Sequence, residues 1–198
     1  MTRTESQADQ SREPGTPIQP TRLHTSRLVL RPPTLADADA YYEMASDPEF
    51  AVFGARQPAD RAAMIRALER IIAVPWAQRP EFAITWEGRT VGRVMLDMDR
   101  VNLVATLGYG VAREHWGHGI ASEAAQAITD YAFSALGVEK VAARVDPRNV
   151  ASVRVLEKLG MQREGLLRSQ VVRWGERADR ALYGILREDW IRLQPSRP

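Results

Sequence analysis

Apolar and polar positions divide the first part of the chain into one strand and two helices. Residues 26–31 alternate apolar and polar side chains and stop at two prolines, which predicts a strand. A helix is expected over residues 35–46, with Thr34 as its N-cap, because Asp47-Pro48 interrupts the run. Apolar residues at helical spacing predict a second helix over residues 59–74.

The rest of the chain alternates strand and helix patterns. Further strands are predicted at residues 81–86, 90–98, 105–111, 138–145, 162–174 and 177–187, and further helices at residues 120–136 and 150–159. Glu87-Gly88-Arg89 and Gly175-Glu176 have the composition of hairpin turns. Because hairpins are mixed with helices, the order predicts an α+β fold around a mixed sheet.

The N-terminal segment differs in composition from the rest of the chain. Residues 1–22 are rich in Ser, Gln, Thr, Pro and Gly and contain few apolar side chains, which predicts a disordered tail. Neither an internal repeat nor a second apolar core pattern follows it. We therefore expect a single domain over residues 23–195.

Composition and charge exclude several classes of function. The 198 residues include no cysteine, so disulfides, thiolate metal sites and a cysteine nucleophile are excluded. The net charge is only +2, and basic residues are interleaved with acidic ones, so no nucleic-acid partner is predicted. No apolar run approaches the roughly 20 residues that span a bilayer, and no signal peptide is evident. The expectation is a cytoplasmic protein without a membrane partner.

A glycine-containing loop carries the most specific chemistry. Trp116-Gly117-His118-Gly119 follows a predicted strand and opens a helix. Glycines allow close backbone approach, and the first amides of a helix lack internal partners, so this turn can bind phosphate or pyrophosphate. Ser122 replaces the third glycine of a dinucleotide fingerprint, and the Lys-Ser/Thr of a P-loop is missing. The loop alone leaves phosphate, dinucleotide, coenzyme A and an unliganded turn as alternatives.

Four motifs together resemble one family. Residues 113–124 are similar to the acetyl-CoA motif of GNAT acetyltransferases, in the form W-G-x-G-x-A-x-E-A of the branch containing the RimJ and RimL N-terminal protein acetyltransferases. Residues 149–161 resemble the family's N-x-x-S-x-x-x-x-E-K-x-G-F, with Met161 in place of Phe. Residues 25–31 resemble the opening T-x-R-L-x-L-R, and Asp179, Tyr183 and residues 188–190 resemble the ending. Glu114 departs from the Gln or Arg of many relatives.

The resemblance implies a fold, a cosubstrate and a set of site residues. The fold would be a mixed, mostly antiparallel sheet of about six to seven strands, splayed in the middle and flanked by about four helices. Acetyl-CoA would lie in the gap of the sheet, and no metal is implied, because His115 and His118 lack a third ligand. Ser152 would donate a proton to the leaving thiolate, and Asn149 would hydrogen-bond the pantetheine arm. The full set of expected cofactor contacts is Val111, Ala112, Trp116, Gly117, His118, Gly119, Ile120, Ala121, Asn149 and Ser152.

The resemblance leaves the acceptor open. An amine would attack the thioester directly, which agrees with the absence of cysteine. The acceptor would enter between the first two helices and the final hairpin. It could be a protein N-terminal amine, a small amine such as an aminoglycoside or polyamine, or absent if the domain only binds acetyl-CoA. Glu43, Asp97 and Asp99 are candidates for holding the cationic amine. Many relatives are dimers, so a homodimer is compatible with the resemblance.

Overall fold

A computed structural model describes residues 18–54 and 58–194. Within these residues one sheet of eight strands has the order β1-β2-β3-β4-β5-β6-β8-β7. All neighbouring strands are antiparallel except β5 and β6, which are parallel. The strands are β1 Leu23–His24, β2 Leu28–Arg31, β3 Glu81–Trp86, β4 Arg89–Asp99, β5 Val104–Val111, β6 Lys140–Val145, β7 Gln162–Arg173 and β8 Glu176–Leu186.

Six α-helices of the described residues flank this sheet. They are α1 Ala38–Ser46, α2 Pro48–Phe53, α3 Arg61–Ala73, α4 Ile120–Ala135, α5 Val150–Lys158 and α6 Arg187–Leu193. The expected α+β fold around a mixed, mostly antiparallel sheet is confirmed, with slightly more strands and helices than predicted. None of the helices in residues 18–54 and 58–194 has the length and apolarity needed to cross a membrane.

The helices pack on opposite faces of the sheet. The larger core joins α4 and α5 to one face, where Phe82, Ile128 and Leu156 are buried. A smaller core joins α1 and α3 to the other face through Tyr41, Leu68 and others. Successive residues of a strand lie on opposite faces of the sheet. Gly108 and Gly110 of β5 therefore lie on the face that carries α1 to α3.

The parallel strands β5 and β6 separate after four residue pairs. Their register runs from Val104 opposite Lys140 to Leu107 opposite Ala143 and then stops. Residues 108–111 of β5 remain paired with β4, and residues 144–145 of β6 remain paired with β8. The sheet is therefore continuous on both sides of a gap between β5 and β6, which is the splay that the family resemblance implies.

Three elements were not predicted from the sequence. Strand β1 has only two residues and pairs with β2, and α6 begins where the last strand was expected to end. Helix α2 follows directly after Asp47-Pro48, which the sequence analysis treated only as the end of α1. Residues 1–17 of the predicted tail and residue 195 of the predicted domain lie outside the described residues. Ile18, which the sequence analysis placed in the tail, packs against the larger core.

Candidate active site

The glycine loop connects the end of β5 to α4. A short 3-10 turn, Arg113–His115, precedes it, and Gly117 and Gly119 have φ of 81° and 77°. Only glycine adopts this conformation without strain, so both positions need glycine to shape the turn. Gly119 is the N-cap of α4, and the first helical bond runs from the Glu123 amide to the Gly119 carbonyl at 3.0 Å. The amides of Ile120 and Ala121 are thus in the first turn, where helices bind anions.

Aromatic rings hold this loop in place. The ring of Trp86 on β3 lies 5.6 Å, centroid to centroid, from the rings of both His115 and His118. His118 is exposed, whereas His115 is half-buried and lies 3.2 Å from the Glu114 carboxylate. The residues that the structure describes contain no group of three or more metal-ligating side chains.

Two of the sequence motifs are joined by the Glu123 carboxylate. It accepts hydrogen bonds from the Thr25 hydroxyl at 2.5 Å, the Arg27 amide at 3.1 Å and the Arg27 Nε at 2.8 Å. Burial raises the pKa of Glu123, but the hydrogen bonds from Thr25 and Arg27 outweigh burial, so the pKa is lowered. The network brings the Arg27 guanidinium to the start of α4, where a Cβ on Gly119 would lie 3.5 Å from it.

The edge of β5 that faces the gap is partly open. The Ala112 amide donates to the Val91 carbonyl at 2.8 Å, on the β4 side, and the Ala112 carbonyl accepts from the His115 amide. Because successive residues of a strand point to opposite edges, the backbone of Val111 is directed toward β6. Its carbonyl accepts from the Trp116 indole at 2.7 Å. Val111 therefore offers its amide to the gap, while both backbone groups of Ala112 are already used.

The start of α5 lies across the gap from β5. The Asn149 side chain caps the helix by accepting from the Ser152 amide at 3.0 Å. The Tyr109 hydroxyl of β5 donates to the Ser152 carbonyl at 3.1 Å. Burial raises the pKa of Tyr109 to about 12, although the bond to Ser152 partly opposes it. Tyr109 is thus a neutral phenol that ties α5 to β5.

Helix α2 covers the other face of the gap. Its Phe50 ring packs on Gly110, where any Cβ would come within 2.9 Å of the ring. The N-terminal end of α2 is tied to the 3-10 turn before the glycine loop, since Arg113 lies 2.6 Å from Glu49. Beyond its C-terminal end, the Gly54 carbonyl accepts from Arg173 at the tip of the β7–β8 hairpin at 2.7 Å.

Two of the four carboxylates Glu43, Glu81, Asp97 and Asp99 are paired with arginine, namely Asp97 and Glu81. Asp97 lies 3.4 Å from Arg79, and the buried Glu81 lies between Arg79 and Arg93 at 3.5 and 3.2 Å. Burial raises the pKa of Glu81, and the two arginines lower it in part. Asp99 accepts from Asn102 in the turn after β4, and Glu43 is exposed on α1.

The residues of the predicted site lie at or after the ends of the two strands that part at the gap. Residues 111–121 border one side of the gap and Asn149 and Ser152 the other. Arg27, Phe50 and Arg173 were not predicted as site residues. Arg27 belongs to the T-x-R motif, so the sequence marked it as a residue of interest. The contacts of Phe50 and Arg173 join elements that are far apart in the chain, and no motif marked them.

Comparison with known proteins agrees with this geometry. A family model described as an acetyltransferase (GNAT) domain matches residues 27–162. The chain is 32% identical over 173 residues to the uncharacterized N-acetyltransferase p20 of Bacillus licheniformis, covering 85% of this chain and 97% of p20.

Two solved structures are similar over most of the chain. The acetyltransferase (GNAT family) from Bacillus anthracis is 25% identical, with a TM-score of 0.76, over 85% of this chain and 99% of that one. Mycobacterium smegmatis RimJ in complex with CoA-disulfide is 25% identical, with a TM-score of 0.74, over 90% of this chain and 93% of that one.

Proposed function

The chain belongs to the GNAT family and is an acetyl-CoA-dependent N-acetyltransferase, and from this premise we propose that its acceptor is the N-terminal amine of a protein. The observation that carries the proposal is the similarity to RimJ over 90% of the chain, together with the motifs that resemble the RimJ/RimL branch. The β7–β8 hairpin meets the end of α2 through the bond from Arg173 to the Gly54 carbonyl, so an acceptor on this side of the gap would lie beside two separate elements.

Several groups around the gap would bind acetyl-CoA in this proposal. Val111 offers a backbone amide at the unpaired edge of β5, where a pantetheine arm can bind as a strand does. The amides of Gly117 to Ala121 would bind the pyrophosphate, and open space surrounds the Cα of Gly117. His118 and Trp116 are part of the same loop. The Arg27 guanidinium, which is paired with Glu123, lies beside the first turn of α4.

Acetyl-CoA supplies the acetyl group as an activated thioester, and the protein positions the amine against it. Asn149 uses its side-chain oxygen to cap α5, which leaves its NH₂ group as the donor toward the pantetheine arm. Ser152 would protonate the thiolate of coenzyme A as it leaves. Tyr109 positions this serine through the Ser152 carbonyl and is not itself the proton donor in the proposal.

The proposal is tested by acetyl transfer to a panel of amines. Purified protein is mixed with acetyl-CoA and either peptides with a free N-terminus, the same peptides with a blocked N-terminus, spermidine or an aminoglycoside, and thiol release is followed. We expect release only with free N-termini, and mass spectrometry should place the acetyl group on the α-amine. Transfer to spermidine or the aminoglycoside, with none to peptides, would contradict the protein N-terminal acceptor while leaving the acetyltransferase activity intact.

A further inference from the structure

Two arginines lie near the gap on the face where the acceptor would enter, Arg144 on β6 and Arg180 on the next strand, β8. Arg144 directly follows Ala143, the last residue of β6 that pairs with β5. Ala143 and Val145 are buried in the larger core, so Arg144 extends from the opposite face, and it is exposed. This is also the face of Gly108, Gly110 and helix α2. Arg144 therefore stands beside the point where the two strands part.

Arg180 of β8 is the diagonal neighbour of Arg144. The register pairs Arg144 with Leu182, which places Arg180 two residues away on the same face. Diagonal neighbours in a sheet have Cβ atoms about 7–8 Å apart, which is within reach of two long side chains. The two guanidinium groups can thus converge on one small anion.

The carboxylates near this pair are bound by other basic side chains. Its neighbours on the same face are Ala142, Leu182, Gly184 and Leu167, and the Glu164 carboxylate that lies over Gly184 is bound by Lys140 at 2.7 Å. Within residues 18–54 and 58–194, neither Arg144 nor Arg180 forms an ion pair. Asp146 interacts electrostatically with Arg180, but it is held in a two-point contact by Arg148.

A third arginine increases the positive charge at the groove. Arg173 reaches the Gly54 carbonyl beside α2. Burial and the charge of Arg180 lower the pKa of Arg173, and Asp146 offsets part of this effect. Glu176 and Asp179 are also on the hairpin and act on Arg148, while Asp179 accepts a bond from the Ser169 amide. Like charges that lie close together are costly, so an anion bound between these arginines would be favoured.

We propose that the acceptor carries a carboxylate or phosphate close to its reacting amine and that Arg144 and Arg180 bind this anion. For a protein N-terminus, which is the proposed function on which this inference rests, the anion would be an acidic side chain within the first few residues. Arginine binds carboxylate and phosphate through paired N–H donors, which suits both sources. A polycationic amine would be repelled from the same groove.

The test compares matched acceptors with the full-length protein. Two hexapeptides share an N-terminal serine and differ only in carrying Asp-Glu or Lys-Lys at the second and third positions, and an aspartate-containing dipeptide and spermidine serve as small acceptors. We expect kcat/KM to be at least about tenfold higher for the acidic hexapeptide, as one charge-assisted contact implies. This preference should weaken with added salt.

Variants assign the preference to the two arginines. The double variant Arg144→Gln/Arg180→Gln should bring the ratio of the two hexapeptides close to one, while the thermal shift caused by acetyl-CoA stays unchanged. Arg66→Gln, an exposed arginine on α3, is the matched control and should keep the wild-type ratio. Arg173 is left intact because it also holds the Gly54 carbonyl.

The outcomes separate this inference from the proposed function. A wild-type preference for the Lys-Lys peptide or spermidine, or an acidic preference that survives in the double variant, would overturn the inference. Acetylation of the acidic dipeptide but of neither hexapeptide, if lost in the double variant, would support the inference and contradict the protein N-terminal acceptor. Loss of the acetyl-CoA thermal shift in the double variant would mean that these arginines bind the cofactor, and would also overturn the inference.

Discussion

Removal of the Glu123 carboxylate should destabilise the fold and should also weaken the contacts that support the glycine loop. The carboxylate accepts from Thr25, from Ser26 and twice from Arg27, and its own side chain is only 17% exposed. Hydrogen bonds to a charged group contribute about 1.5–3 kcal/mol each when buried, whereas the exposed ion pair with Arg27 contributes at most about 1 kcal/mol. We therefore expect Glu123→Ala to lower the free energy of unfolding by about 3 kcal/mol.

The decrease in the free energy of unfolding is measured by urea unfolding at pH 7, and a thermal scan then gives the change in Tm. For a chain of this size the change corresponds to a Tm lower by about 6–12 °C. Glu123→Gln keeps an oxygen that can accept from Thr25 and should lose less than Glu123→Ala. Glu69→Ala, an exposed glutamate on α3, is the control and should stay within about 0.5 kcal/mol of the wild type.

The pH dependence gives a second measurement of the same network. The folded-state pKa of Glu123 is lowered from its ordinary value of 4.5, so the carboxylate stabilises the fold above that pH and loses its effect as pH falls below it. The difference between the wild type and Glu123→Ala should therefore shrink in acid. A Glu123→Ala variant as stable as the Glu69→Ala control at pH 7 would refute the reasoning.

Three further predictions address the site and its support. Ser152→Ala should lower kcat by about 100-fold with little change in the KM for acetyl-CoA, as expected for loss of a general acid, and a kcat within threefold of wild type would exclude that role. Gly119→Ala should lower the free energy of unfolding by about 1 kcal/mol, because φ is 77°, and should also raise the Kd for acetyl-CoA. The control is Gly175→Ala at the hairpin tip, where φ is 82°. It introduces a similar backbone strain and should leave the Kd for acetyl-CoA unchanged. Burial raises the pKa of Asp37, but the hydrogen bonds from Arg31, Thr90 and Thr34 bring it down from 3.8 to about 2. Asp37→Asn should therefore lose about 2 kcal/mol at pH 7 in urea unfolding, and the wild type should lose the same contribution as pH falls from about 4 to 2; equal stability of the two proteins at pH 7 would contradict this.

Local signals explain what the sequence could predict. The hairpin turns depend on adjacent residues, and the structure gives Glu87 and Gly88 φ of 51° and 78°, as the turn composition indicated. The buried strands and the long helix α4 have strong periodicity. Their bounds consequently agree with the structure to within about two residues.

Helix α2 shows why a local signal can be incomplete. Asp47-Pro48 ends α1, but the Asp47 side chain also accepts from the Glu49 and Phe50 amides at 2.9 and 3.0 Å. Pro48 occupies the first turn of α2, where proline is favoured. The same two residues stop one helix and start the next, and the packing of Phe50 on Gly110, which also supports α2, is a contact between distant parts of the chain.

The site itself depended on contacts that no local pattern contains. The glycine loop and the Asn149 and Ser152 motif were visible in the sequence because each is a short contiguous segment. The contact between Arg27 and Glu123 spans 96 residues, and that between Arg173 and Gly54 spans 119. Such pairings follow from strand order and sheet twist, which the sequence pattern does not specify.

The early end of the β5–β6 pairing gives the molecule a sheet edge inside its own fold. Edge strands usually lie at the margin of a domain, where other chains can add to them. Here the edge is enclosed by α2, α4 and α5, so a slender ligand can complete the ladder while another protein strand cannot. Amide hydrogen exchange at Tyr109, Val111 and Arg144 should therefore slow when coenzyme A binds. Binding of the cofactor should also stabilise the association of the two halves of the sheet.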